Sequence, residues 1–258
     1  MTVKFVQYRS GSSIANRSSG MKIIHGLLVS ATIGLATPAL GVAATLAKDE
    51  LTFEVSLNDQ PIGVHRFRIA DEGAMRVVAS EATFDVRILR VPVYRYRHSN
   101  TETWQNGCLQ RIDSETDANG TSYAVDLSKT TTGYRIVTPN ETQTYQGDCL
   151  MSFAYWDQRF LRQQRLLNTQ TGELIAVEVQ SLGESERKIA NRTVPVRGFR
   201  VLAAPQNVDI KVFYHSMDGR WVALESVLEN GRLLRYALTA DDRLAAAERI
   251  SDPPSTQR

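Results

Sequence analysis

The sequence predicts a mainly β fold: an antiparallel barrel or half-barrel of about a dozen strands with one short helix. Apolar and polar residues alternate in segment after segment, the period-of-two signature of half-buried strands. Gly, Asn, Asp and Pro break that alternation at short intervals, as hairpin turns require. One stretch alone, around 150–167, shifts to helical spacing. So many antiparallel strands must close, curl or stack to hide their edges, and a barrel or half-barrel is the expected solution.

Residues 1–44 come before the sheet and read as an export segment that is removed. Lys22 precedes a run from 23 to 40 whose single ionisable group is His25, and the small residues Gly41, Ala43 and Ala44 follow. A translocase reads charge, apolar stretch and small-residue cleavage site in that order. Met21 is read as the true start, with 1–20 polar and without periodicity. Gly26, Ser30, Thr32, Gly34, Thr37 and Pro38 weaken the run as a span of about 20 residues, so no stable membrane span is expected after cleavage. The segment takes Lys4, Arg9, Arg17 and Lys22 with it and no acid. Of 30 Lys and Arg, 26 then stand against 28 Asp and Glu. That balance gives no global case for binding nucleic acid or an anionic membrane surface. The expected location is periplasmic.

A single β-rich domain is expected over 45–250. Leu51, Phe53, Val55 and Leu57 share a face before a turn at 58–61, and 62–69 forms the next strand. Residues 75–91 suit two strands or one long bent one. The clearest alternation covers 92–104: Tyr94, Tyr96, His98, Asn100, Glu102 and Trp104 point one way, with Arg95, Arg97, Ser99, Thr101 and Thr103 opposite. Asn106-Gly107 turns into 109–115, and a turn at 117–120 leads to Tyr123, Val125 and Leu127. Next, Phe153, Trp156, Phe160, Leu161 and Leu167 have roughly helical spacing with Ser152 as N-cap, which predicts a helix of two or three turns. Strand patterning resumes over 174–182, 194–202, 208–215, 221–228 and 233–238. Asp218-Gly219 and Asn230-Gly231 mark hairpins. Residues 251–258, with Pro253-Pro254, form a polar tail expected to be disordered.

Cys108 and Cys149 are the only cysteines, and each follows a Gly-bearing turn. In an oxidising compartment such a pair is expected to form a disulfide. Two cysteines alone make no structural zinc site, and no HExxH pair or other metal-ligand spacing accompanies them.

Several segments together carry a resemblance: GVHRF at 63–67, YRY at 94–96, ETWQNGCL at 102–109, MSFAYW at 151–156, LNTQTGE at 167–173 and WVALES at 221–226. Over about 50–238 the chain resembles a family of exported proteobacterial proteins of unknown function. The resemblance implies export and a β-rich fold, and it transfers no catalytic residue. The layout is similar, in architecture alone, to lipoprotein-carrier half-barrels and lipocalin-like pockets.

One strand face collects Tyr94, Tyr96, His98, Glu102 and Trp104, and the expected helix opens on Phe153, Tyr155 and Trp156. Aromatic walls with a few placed polar groups suit a small-molecule site, here for a hydrophobic or lipid-like ligand. The competing reading is a packed core whose polar groups hydrogen-bond one another. Arg159, Arg162 and Arg165, at every third position, read as a solvated face. There is no GxSxG elbow, GxGxxG or P-loop, so no catalytic residue, metal or cofactor is assigned. A hydrolase built on His98 or His215 with an acidic partner is a third reading. The leading expectation is a non-enzymatic carrier; the second is an envelope interaction protein with a filled core.

Overall fold

The computed structural model of the chain describes residues 49–203 and 208–239; the expected export segment (1–44) and tail (251–258) lie outside the described residues. The first eight strands form a meander: β1 (Asp49–Leu57), β2 (Gln60–Glu72), β3 (Met75–Ile88), β4 (Val91–Gln105), β5 (Cys108–Ala118), β6 (Thr121–Lys129), β7 (Gly133–Val137) and β8 (Thr142–Gln146). A strap follows, containing a 3₁₀ turn (Gln158–Arg162) and a ribbon of β9 (Arg165–Leu167) with β10 (Leu174–Ala176). The chain then runs through β11 (Glu178–Ile189), β12 (Arg192–Ala203), β13 (Val208–His215), β14 (Trp221–Val227) and β15 (Leu233–Leu238). β15 pairs with β1, which joins the two meanders into one antiparallel sheet of 13 strands with β11 and β8 at its ends. Residues 75–91 therefore hold one long strand and the start of the next, not two complete ones.

The sheet is curled. Neighbouring strands lie about 4.8 Å apart, so side chains three ladders apart on a flat sheet stand about 14 Å apart. Phe84 on β3 and Tyr236 on β15 are separated by three ladders, yet their ring centroids lie 6.3 Å apart. Phe67 on β2 and Trp221 on β14 meet at 5.3 Å. Only a concave face brings such side chains together. The result is a half-barrel with its edges open.

The strap crosses that concave face. Leu109 N donates to Leu150 O, Ser114 Oγ to Thr169 O and Gln143 Nε2 to Gly172 O on the β5–β8 side. On the other side the Tyr214 hydroxyl donates to Tyr155 O at 2.9 Å. Cys108–Cys149 is a disulfide, as expected, and it pins the strap's entrance to the start of β5 across 41 residues.

The expected helix is much shorter and starts later. Leu150 to Tyr155 are buried at every position, so this stretch has no solvent side, and it is not helical; it turns at Tyr155, whose N–H bonds Phe153 O. Ser152 caps nothing. It forms a bridge with Leu167 and donates its hydroxyl to Glu102. That 3₁₀ turn is capped instead by Asp157, whose carboxylate accepts from Arg159 N at 3.0 Å. The same carboxylate grips the Arg159 guanidinium, so Arg159 is ion-paired.

Candidate functional site

The inward row of β4 alternates as the sequence predicts, and its neighbours are set by register. Phe53, His65, Ala82, His98 and Thr116 align across β1 to β5. Ala82 is the small residue between two histidines. Tyr96, His98, Glu102 and Trp104 are all buried on this face, and Phe153 and Tyr155 are buried in the strap. Tyr94 and Trp156 are half-buried.

These residues do not form one pocket; they divide into three groups. At one end of β4 the Tyr96 hydroxyl donates to Gln170 Oε1 at 3.1 Å, and His98 Nδ1 shares a hydrogen with Thr116 Oγ1 at 2.8 Å. Beside them His65 stacks on Phe67, with centroids 4.1 Å apart, and lies 5.8 Å from Tyr236. Both His65 ring nitrogens, His98 Nε2 and Gln170 Nε2 have no protein partner. At the other end Glu102 accepts from Asn100 Nδ2 (3.1 Å), Trp104 Nε1 (3.0 Å) and Ser152 Oγ (2.9 Å). Trp156 meets Trp104 edge-on at 5.4 Å, with the Arg76 guanidinium over its ring. The third group lies across the concavity, where Tyr155 packs on Phe160 and Trp221.

Burial dominates the electrostatics of the face. It lowers the His98 pKa to about 3 and holds His65 well below the ordinary histidine value, helped there by His98. Both rings are neutral at physiological pH. Burial also raises the Glu102 carboxyl, against the lowering effect of the hydrogen bonds from Asn100, Ser152 and Trp104. Neither His65 nor His98 hydrogen-bonds a carboxylate.

The family profile described as Domain of unknown function (DUF6134) matches residues 53–239. The chain belongs to this family. Of the solved structures, it is similar to the crystal structure described as a Beta-barrel-like Protein of Domain of Unknown Function DUF1849 from Brucella abortus. The TM-score is 0.56 at 9% identity, covering 75% of this chain and 96% of that one. That likeness is one of fold. No curated protein matches the sequence.

The DUF6134 match runs from β1 to the end of β15, so it contains the whole inward row and the strap. Several inward polar residues escape a reading of β4 alone: His65, Thr116, Gln170 and Ser152 join the face through register and strap. The alternation of β2 and β5 carries the parity of the first two, but which strands are neighbours is not a local signal. Among the described residues one His–carboxylate hydrogen bond occurs, between His215 Nδ1 and Asp218 Oδ1 at 3.0 Å. It spans a four-residue turn, and Asp218 is also bound by Arg220. No group of three or more metal-ligating side chains occurs among the described residues. A depression of about 570 Å³ lies over β3–β6, and the side chains around it include exposed Glu81, Thr83, Arg97, Glu115 and Asp117 of the outward face.

Proposed function

We propose that this chain is a non-enzymatic interaction protein of the bacterial envelope, exported through its N-terminal segment, with its half-barrel filled by its own strap. The carrying observation is the packing of the concave face. Tyr96, Trp104, Phe153 and Tyr155, the walls a carrier would turn toward its ligand, are each at most 4% exposed and touch other protein groups. The depression over β3–β6 is bordered by charged residues of the outward face, which suits contact with other molecules better than storage of an apolar one. The leader and the disulfide support passage into an oxidising compartment.

A second reading keeps a ligand on the concave face. The unpartnered atoms of His65, His98 and Gln170 favour it, because buried polar atoms ordinarily find partners and a ligand head group would supply them. Native mass spectrometry of the protein recovered from a periplasm, with organic extraction, separates the two. An apo mass lighter than the reduced chain by two hydrogens supports the filled-core reading. A stoichiometric adduct lost on Tyr96→Phe overturns it in favour of the carrier.

A further inference from the structure

Among the described residues, five hairpins turn through two residues of positive φ: Asn58-Asp59, Leu89-Arg90, Asn106-Gly107, Asn119-Gly120 and Ala190-Asn191. Such turns favour Asn, Asp and Gly, which tolerate that region. Four of the five contain at least one of them. Leu89-Arg90, with φ of 49° and 72°, contains none. Leu89 is also 93% exposed, Val91 61% and Val93 44%. Folding alone selects neither a leucine in that conformation nor three bare apolar side chains together.

The tip also projects. Pairing of β3 with β2 stops at Phe84↔Gly63, and pairing of β4 with β5 stops at Tyr96↔Ala118. The Arg95 backbone still bonds Asn119 of the β5–β6 turn, and beyond it β3 and β4 pair with each other toward the tip. Cations dominate the projecting arm and its base: Arg87, Arg90, Arg95 and Arg97 stand against Asp85 within 85–97, and Asp85 is paired with Arg95 at 3.5 Å. On β5, Asp117 stands opposite Arg97 and accepts a hydrogen bond from Gly120 N.

We infer that the β3–β4 hairpin tip is a docking element for an anionic lipid surface, with Leu89, Val91 and Val93 entering the interface and the arginines meeting lipid phosphates. This inference rests on the reading that the protein works through its outside, and it names the partner. A two-stranded tip with three apolar side chains is far too small for a stable protein interface, which buries about 1,600 Å². An apolar tip ringed by cations matches the headgroup boundary of an anionic bilayer, where each basic residue near the surface contributes about five-fold in partition.

The test is sedimentation of the purified full chain with vesicles of equimolar phosphatidylglycerol and phosphatidylcholine, or of phosphatidylcholine alone, comparing wild type, Leu89→Asn and Arg87→Gln/Arg90→Gln. Any contribution from the leader is common to all three. Leu89→Asn places a favoured residue in the turn, so its Tm is expected to hold or rise while its partition falls about ten-fold. The double arginine variant is expected to lose about twenty-five-fold on anionic vesicles and little on neutral ones. Equal partition of wild type and Leu89→Asn overturns the inference, as does equal binding to the two vesicle types. A co-purifying interior ligand would sink the filled-core reading without touching this result, so the two can fail separately.

Discussion

His65 sits between Phe67 and Tyr236 with neither ring nitrogen bonded to protein. Burying an imidazole this way costs about 1–3 kcal/mol relative to an apolar ring of the same shape. His65→Phe is therefore expected to raise the free energy of unfolding by about 1 kcal/mol in a urea titration. A fall of that size instead would mean the nitrogens hold something in the native protein. Glu102 is the opposite case. Removing it strands Asn100 Nδ2, Trp104 Nε1 and Ser152 Oγ at once, so Glu102→Ala is expected to destabilise by about 3 kcal/mol. Double-mutant cycles with Ser152→Ala should then show coupling, because each variant removes the same bond. Full additivity would show that the 2.9 Å contact contributes nothing.

Among the elements, the strap separates what the chain displays locally from what it does not. The alternation of Tyr94 to Trp104 is a local property, and β4 follows it residue by residue. The disulfide was legible as well, because two cysteines leave one pairing. Leu150 to Tyr155 misled, since aromatic spacing there reflects burial on every side of a non-helical segment rather than one helical stripe. Only the curled sheet supplies that enclosure. The division of the β4 face into a Tyr96–Gln170 end and a Glu102–Ser152 end was equally hidden, because the partners arrive from the strap. Closing a 41-residue loop is worth about 4 kcal/mol in the chain-entropy model. Cys108→Ser/Cys149→Ser is expected to lower stability by up to that amount. Its near-UV circular dichroism should weaken first, as Phe153, Tyr155 and Trp156 loosen with the strap. At the β3–β4 hairpin, relief of the Leu89 backbone by Leu89→Asn is expected to add about 1 kcal/mol. An unchanged urea midpoint for that variant would show that the turn stores no strain.

At the scale of the whole molecule, the filled half-barrel should reveal itself in how stability responds to acid. Unfolded histidines titrate near 6.5, whereas folded His98 titrates at about 3 and folded His65 well below its ordinary value. Between pH 6.5 and 5 the unfolded chain therefore binds more protons at these two sites than the folded one. Stability then falls with falling pH, at about 1.4 kcal/mol per pH unit for each histidine once the pH is clearly below 6.5. Glu102 acts the other way. Its folded pKa is raised, so the folded protein binds the extra proton and gains stability as pH drops through that value toward the unfolded one. Two histidines outweigh one carboxyl, and net destabilisation on mild acidification is expected. His65→Phe should remove one histidine's share, flattening the fall in unfolding free energy between pH 6.5 and 5, while Glu102→Gln should steepen it wherever Glu102 titrates within that window. The measurement is urea unfolding at half-unit steps of pH for the three proteins. If His65→Phe leaves the slope unchanged, His65 is already open to protons in the native state. The concave face would then be wetter and more accessible than a filled core permits, and the ligand-holding reading would gain accordingly.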